Sequence, residues 1–191
     1  PELECLVNLP KFYGTILKNK NITDLSLKKA CVNQLAALIV NPNQNVRGFT
    51  IWEAGQMEDY DTDKVEMLKK LIETTDFDEN QIKSIGDAFM RHKDITSFFD
   101  FLSAYAGKLK VNFYPEVFYS VIHNFYHQDA ENFSKELIQL LIDDEGPVRN
   151  IGNRIIGHIE IHSKRFNIGT DILQYDELEF LEKSGQKIFN L

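Results

Sequence analysis

A short local pattern occurs four times along this 191-residue chain. Each copy is a polar turn that ends in a β-branched residue and opens an amphipathic stretch, and in three of the four a basic residue comes next. The β-branched anchors lie 36, 35 and 31 positions apart, and they are Val46, Ile82, Val117 and Val148. A fixed period in this range is typical of stacked supersecondary units rather than of one compact globule. The spacing therefore predicts a repeat protein.

Each anchor is preceded by one helical pattern and opens a second. Apolar residues recur at a spacing of 3.6, as Leu27, Cys31, Leu35 and Leu38 do in the first unit. The predicted first helices are 25–40, 63–74, 95–106 and 130–142. The predicted second helices are 44–57, 79–92, 115–127 and 147–163. Because alternating strand patterns are scarce, the predicted fold class is all-α.

The two ends of the chain depart from the period. Residues 1–24 contain a leading helix, in which Pro10 predicts a break or a kink. Four repeats of about 35 residues follow over 25–163. The tail, 164–191, carries a short acidic helical pattern that we expect to cap the stack, because a terminal repeat otherwise exposes its apolar face. Residues 1–191 are thus predicted to form a single α-solenoid domain.

Composition narrows the classes of function. The net charge of −8 disfavours nucleic acid and an anionic membrane as partners, since phosphate neutralisation supplies much of the affinity for nucleic acid, but it leaves a local basic patch open. No apolar run approaches the roughly 18 residues that span a bilayer. Cys5 and Cys31 lie in apolar helical patterns, so we expect reduced thiols and a cytoplasmic protein. Because the sequence begins with Pro1, we expect a processed form or a piece of a longer protein.

The repeated turns resemble those of the HEAT and armadillo-type helical repeats. The signature of that family is a helix ending in leucines, then Asp-Pro-x-x-x-Val-Arg, then a second helix with small residues. Asn41-Pro-Asn-Gln-Asn-Val46-Arg47 matches it with Asn for Asp, and Asp143-Asp-Glu-Gly-Pro-Val148-Arg149 keeps both the acid and the base. The resemblance covers residues 25 to 163. It implies an α-solenoid whose second helices line a concave surface.

In that family the acid and the base of each turn form a ladder between stacked turns. The resemblance implies the same structural role for Asn41, Asp76 and Asp143 with Arg47, Lys83 and Arg149. The turn oxygen would accept from N–H groups that open the second helix. The base would reach an oxygen of the neighbouring unit. Phe118 replaces the base in the third unit and breaks the ladder there.

Two kinds of side-chain group suggest a metal, and neither completes a site. The histidine pairs at i,i+4 spacing are His123 with His127 and His158 with His162. Each pair offers two zinc ligands, but no third ligand is evident. The acidic segments 59–63 and 76–80 resemble the start of a calcium loop. Their sixth positions, which need Gly, hold Lys64 and Gln81. We therefore expect no metal and no other cofactor.

Helical geometry predicts which positions of the second helices face solvent. Offsets 0, +3, +4 and +7 from each anchor form the expected buried stripe, so offsets +2, +5, +6 and +9 are expected to be exposed. Exposed Trp, Tyr and Arg are the residue types that dominate binding hot spots. The predicted partner-binding residues on the concave face are Trp52, Asp87, Arg91, Tyr119, His123, Tyr126, Asn153 and Arg154.

The sequence therefore favours a non-enzymatic interaction module that binds a protein or peptide partner on its concave face. The acidic chain favours a partner of basic character. One alternative is a nucleic-acid-binding helical-repeat protein, which requires the bases to converge on one side; these are Arg47, Lys83, Arg91, Arg149 and Arg154. The other alternative is a regulatory segment of a larger enzyme, whose catalytic part lies outside this chain.

Overall fold

The fold is described by a computed structural model that covers residues 2–74, 84–86, 88–109 and 119–166. Across these ranges the chain is helical and contains no strand, which confirms the all-α fold class. The helices are α1 (Glu2–Lys18), α2 (Leu25–Leu38), α3 (Gln44–Gly55), α4 (Asp61–Thr74), α5 (Ile95–Leu109), α6 (Tyr119–Gln128), α7 (Ala130–Ile142) and α8 (Gly146–Phe166). Residues 84–86 and 88–89 are also helical. The chain divides into two compact units, Pro1–Lys93 and Asp94–Leu191.

The periodic apolar pattern predicts the helices well. α7 begins and ends at the predicted residues, and the other predicted ends that fall on described residues of α2, α3, α4, α5, α6 and α8 agree to within three positions. Of the break or kink predicted at Pro10, the break does not occur: α1 continues through this residue, which is buried. Burial of the surrounding helix outweighs the one backbone hydrogen bond that proline removes. The number of stacked repeats stays a prediction. The predicted cap over 164–191 also stays a prediction, because residues 167–191 lie outside the described part.

In unit 1, defined as Pro1–Lys93, α1 packs against both α2 and α3. α2 begins where Asp24 accepts hydrogen bonds from the amides of Ser26 and Leu27. α3 begins in the same way at Asn43. Such N-caps satisfy donors that a helix leaves open, and each contributes about 1 kcal/mol. The polar residues before each helix thus fix where α2 and α3 start.

A close contact joins α1 to α3. Gly14 of α1 faces Glu53 of α3, and a Cβ atom at Gly14 would overlap the Glu53 carboxylate. Lys18 donates from Nζ to Glu53 Oε2 at 2.9 Å. The Glu53 side chain is buried at 7% exposure, so the lysine neutralises a charge that has little contact with water. The absence of a side chain at Gly14 is what leaves room for this ion pair.

Phenylalanines fill the centre of unit 2, defined as Asp94–Leu191. Phe98 of α5 contacts Phe125 of α6 with ring centroids 5.2 Å apart, and Phe99 of α5 contacts Phe133 of α7 at 5.5 Å. All four side chains are buried. Tilted and edge-on pairs of this kind add roughly 0.5–1.5 kcal/mol beyond the burial of area. α5 therefore forms the middle of unit 2, where it also packs against α8.

The turn between α2 and α3 is closed by hydrogen bonds to its own backbone. Asn41 Oδ1 accepts from the amide of Asn43 at 2.9 Å. Arg47 then reaches back from α3, and its Nη1 donates to the carbonyl oxygens of Asn41 at 2.8 Å and Pro42 at 2.9 Å. A guanidinium presents several donors in a fixed plane, which suits it to bridge two adjacent carbonyls.

The turn between α7 and α8 has the same arrangement. Asp143 Oδ1 accepts from the amide of Glu145 at 2.7 Å. Arg149 Nη1 donates to the carbonyl oxygens of Asp143 at 2.6 Å and Asp144 at 2.7 Å. In both turns the base stands six positions after the first turn residue. Two of the four predicted repeats therefore share one local geometry, while the turns over 76–83 and 112–118 lie outside the described residues.

The predicted ladder between stacked turns stays a prediction, because the turns over 76–83 and 112–118, which would supply the neighbouring acids, lie outside the described residues. In the described part of the chain, Arg47 and Arg149 bind the carbonyl oxygens of their own turns. The physical reason is that the last carbonyls before each turn lack helical partners and lie within reach of the guanidinium. Each of these contacts stabilises the turn to which the base belongs.

Two glycines of α8 provide a test of the packing in unit 2. A Cβ at Gly152 would lie 3.1 Å from Leu140 Cβ and 3.2 Å from the backbone nitrogen of Leu141, whereas a Cβ at Gly157 would meet nothing within 4 Å. We expect Gly152→Ala to lower the free energy of unfolding by about 1 kcal/mol, because the clash outweighs the gain in helix propensity. We expect Gly157→Ala to raise it by up to about 1 kcal/mol.

Urea unfolding followed by far-UV circular dichroism measures both changes. Gly157→Ala is the matched control, because it adds the same methyl group to the same helix. Equal stabilisation by the two substitutions would contradict the close approach of α7 and α8 at Gly152.

Candidate functional site

Two aromatic side chains lie exposed on one side of α3. Phe49 is 50% exposed and Trp52 is 48% exposed. They are three residues apart, so they share one helical face. We call them the α3 aromatic pair. The exposed positions of α3 carry no charge, and they are Gln44, Asn45, Gly48, Phe49 and Trp52. This face is thus an apolar and neutral surface in an acidic chain.

The α1–α3 contact locates the pair on unit 1. Phe49 stands four residues before Glu53, so it lies on the edge of α3 that is next to α1. Phe12 of α1 is also exposed, at 58%. It lies two residues from Gly14, which places it about 200° around α1 from the contact with α3. Phe12 therefore belongs to a different surface from the α3 aromatic pair.

The sequence pattern missed half of this surface. The predicted stripe places Phe49 at a buried offset and Ile51 at an exposed one, but Phe49 is exposed and Ile51 is buried. The buried arc of α3 is rotated toward Ile51 and Ala54, which also lie in the core. Trp52, at an offset predicted to be exposed, is exposed. Phe49 and Ile51 are both apolar and lie two positions apart in the sequence. Their spacing alone does not show which of the two is buried.

Some of the other predicted surface residues belong to unit 1 and some to unit 2. In unit 1, Arg91 is exposed and donates from Nη1 to Glu58 Oε1 at 2.9 Å. Asp87 lies outside the described residues. In unit 2, Asn153 is exposed and Arg154 is half-buried on α8.

Three rings of α6 form a contact chain in unit 2. The rings of His123 and His127 lie 4.3 Å apart, and the rings of Tyr126 and His127 lie 5.5 Å apart. Tyr126 also contacts Phe133 of α7 edge-on at 6.2 Å. Both His123 and Tyr126 are half-buried, so part of their surface is used in packing. Tyr119 is helical, but its side chain is outside the described part.

In the described residues, the structure adds no third ligand to the candidate metal sites. The described residues contain no group of three His, Cys, Asp or Glu side chains that could hold a metal ion. The carboxylates of the first calcium-like segment each bind a base instead. Asp59 accepts from Lys93 Nζ at 2.9 Å, and Asp63 accepts from Lys29 Nζ at 2.8 Å. His158 and His162 have side chains outside the described part.

A buried charge network is the strongest cluster of titratable groups in unit 1. Lys64 has a side-chain exposure of 0%, and its Nζ lies 3.5 Å from Asp61 Oδ1. His92 Nδ1 lies 3.2 Å from the same oxygen. The amide of Lys93 donates to Asp61 Oδ2 at 2.8 Å. Asp61 therefore connects the start of α4 with the segment at 92–93.

The pKa values in this network shift in the directions expected for a buried pair. Burial alone would raise the pKa of Asp61, but the His92 ring, the Lys93 amide and the Lys64 charge together hold it below its usual 3.8. Burial lowers the pKa of Lys64, and the attraction to Asp61 offsets part of that effect. Asp61 is thus the ionised centre on which the network depends.

This network has the geometry of a structural joint rather than of a reaction centre. Lys64 and His92 are buried, and Asp61 uses both oxygens to hold protein groups. A general base or nucleophile must reach its substrate within hydrogen-bond distance. Unit 1 has one cavity between α2 and α4, whose lining includes Val32 and Met67, and another at the ends of α1 and α3. Asp61, Lys64 and His92 line neither of them. The network therefore links two segments of unit 1.

Asp61→Asn tests the joint. The substitution leaves Lys64 buried without its counter-charge, so we expect the free energy of unfolding to fall by about 3–5 kcal/mol at neutral pH. Because the native pKa of Asp61 is below 3.8, its contribution is complete above that pH and is lost as pH falls through the depressed native pKa. The stabilities of the wild type and the variant should converge in strong acid. Urea unfolding over a pH series measures this.

Glu66→Gln is the control, because it removes the same charge from the exposed Glu66–Lys69 pair of the same helix. We expect it to change the free energy of unfolding by no more than about 0.5 kcal/mol. Combining Lys64→Met with Asp61→Asn removes the unpaired buried charge and should restore most of the lost stability. If Asp61→Asn lowered the free energy of unfolding as little as Glu66→Gln does, the structural role of the Asp61 network would be contradicted.

Comparison of the chain with protein-family models, with curated proteins and with solved structures gives no match. In the part of the chain that the structure describes, no helix combines the length and the apolar character needed to cross a bilayer.

Proposed function

We propose that this chain is a non-enzymatic protein–protein interaction module that binds a protein or peptide partner through its second helices. The observation that carries the proposal is the exposure of Phe49 and Trp52 together on one neutral face of α3. Large aromatic side chains are costly to leave in water and are enriched at the centres of interfaces. In a stack of the HEAT type this face of α3 belongs to the concave surface.

The chemistry of the partner follows from this face and from the charge of the chain. The face offers apolar area and no charge, so it suits an amphipathic segment whose apolar side chains cover the two rings. The net charge of −8 favours the approach of a segment with basic residues on its outer side. Both cysteines are free thiols, which fits a protein of the reducing cytoplasm.

Nucleic-acid binding is the weaker candidate because the bases are engaged elsewhere. Arg47 and Arg149 bind backbone carbonyls of their own turns, and Arg91 pairs with Glu58. Three of the five bases that this function requires are therefore committed to contacts within the protein. Lys83 lies outside the described residues.

A photo-cross-linking experiment identifies the partner. Gly48 is exposed beside Phe49, and a Cβ there would meet nothing within 4 Å. A benzophenone amino acid at position 48 should therefore be accommodated and should cross-link to a protein that covers the α3 aromatic pair. The captured protein is identified by mass spectrometry, with and without nuclease treatment, and then purified for titration.

The titration tests the role of each ring. We expect Phe49→Ala and Trp52→Ala each to weaken binding by about 2 kcal/mol, roughly 30-fold in Kd, because interface aromatics of this kind act as hot spots. Trp52 is the only tryptophan, so its fluorescence reports directly on the surface in the wild type. Calorimetry measures the variants.

Phe12→Ala is the matched control, because it removes an equally exposed ring from a different surface of the same unit. Its binding should equal that of the wild type. The proposal fails if the partner binds the double variant Phe49→Ala, Trp52→Ala as tightly as the wild type. Capture that disappears with nuclease would favour the nucleic-acid alternative.

A further inference from the structure

Unit 1 has a pocket of about 500 Å³ on a surface that shares no residue with the α3 aromatic pair. It lies where α1 and α3 end and α2 begins. Pockets that enclose a small ligand have volumes of roughly 300–1,000 Å³. The space is therefore large enough for one or two side chains of a bound segment.

The floor of this pocket is apolar. Leu17 of α1 and Met57, which follows α3, both line it and are almost completely buried. Leu25 stands at its edge as the first residue of α2, with 79% of its surface exposed. This large apolar side chain is therefore left in water at the rim of an apolar floor. A bound aliphatic side chain would cover it.

The pocket carries a surplus of positive charge. Its lining includes four bases and two acids, which are Lys18, Lys20, Lys28 and Arg91 with Glu58 and Asp59. Glu58 is neutralised by Arg91 at 2.9 Å, and Asp59 by Lys93 at 2.9 Å. Lys18 is neutralised by Glu53. Two lysines of the lining remain, and their charges are not balanced at this site.

These two lysines, Lys20 and Lys28, make no ion pair within the described residues. Lys28 is half-buried and Lys20 is exposed. The carbonyl ends of α1 and α3 add partial negative charge nearby, which Lys18 in the last turn of α1 offsets. The excess of two positive charges stands out in a chain whose net charge is −8.

A tyrosine adds a hydrogen-bond donor to the same lining. Tyr60 is half-buried there. Burial raises the pKa of Tyr60, and the nearby Asp63 and Asp59 raise it further. Its hydroxyl group therefore stays protonated at neutral pH and can donate to a carboxylate.

We propose that this pocket binds an acidic peptide segment of a partner protein, with an aliphatic side chain on the floor and flanking carboxylates on Lys20 and Lys28. The apolar floor requires a side chain that buries area, and the unpaired lysines supply charge complementarity. A nucleic-acid backbone suits the site less well, since Glu58 and Asp59 interrupt the positive track that successive phosphates follow.

Fluorescence anisotropy with defined probes tests the assignment on the full chain. The probe is a labelled, end-blocked decapeptide in which Glu residues flank a central Leu-Leu pair. Its two comparison peptides replace every Glu by Gln, or both Leu by Ser. We expect the acidic, leucine-containing peptide to bind at least about tenfold more tightly than either comparison peptide, and to weaken with added salt.

Variants of the protein separate the two halves of the site. We expect the double variant Lys20→Gln, Lys28→Gln to bind the acidic peptide about tenfold more weakly, and Leu25→Gln to weaken it severalfold. The control double variant, Lys11→Gln with Lys69→Gln, makes the same change in net charge away from the pocket. It should bind as the wild type does. Far-UV circular dichroism checks that each variant is folded.

Three outcomes would overturn the proposal. The first is equal binding of the acidic peptide and its Gln version, including no binding of either. The second is equal loss in the pocket variant and in the control variant, which would show a general effect of charge. The third is tighter binding of a single-stranded oligonucleotide that competes with the peptide. None of these outcomes depends on Phe49 or Trp52, so the test is independent of the proposed function.

Discussion

The hydrogen bonds of Arg47 and Arg149 to their own turns are the interaction on which the helix pairs depend. Each guanidinium stands in the first turn of a second helix and binds two carbonyls of the turn that precedes it. Without these donors, the carbonyls at the turn would need water or another partner. The base thereby fixes where the second helix leaves the turn. Because the direction of the second helix is fixed in this way, the apolar stripes of the two helices can pack against each other.

This use of the bases determines which residues remain for recognition. The carbonyl oxygens of the turns already use Nη1 of Arg47 and of Arg149, so these two side chains have fewer donors left for a partner. The exposed surface is formed by other positions, such as Phe49 and Trp52 on α3, Lys20 after α1 and Lys28 in the first turn of α2. The repeated residues maintain the architecture, and the non-repeated residues give this chain its individual surfaces.

Helices could be predicted from the sequence because apolar spacing and capping are local. α7 over Ala130–Ile142 has a strong amphipathic stripe and an Asp129 cap, and both of its ends were predictable. The rotation of α3 about its axis was not, since exposing Phe49 and burying Ile51 depends on how α1 packs through Gly14 and Glu53. The partners of Arg47 were equally hidden, because a flexible side chain can reach either its own turn or a neighbour. Periodicity thus predicts the elements, while tertiary contacts decide the site.

The burial of Lys64 is a second feature that local sequence pattern does not predict. Sequence places Lys64 in the acidic opening of α4, where a solvated charge is the ordinary expectation. In the fold it becomes fully buried, because His92 and the amide of Lys93, about thirty positions later, converge with it on Asp61. A buried ion pair of this kind adds little net stability compared with apolar packing, but a wrong pairing would leave a charge unbalanced. A different position of the segment at 92–93 would leave a buried charge unpaired, and the free-energy cost of that is larger than the net stability that the paired network contributes.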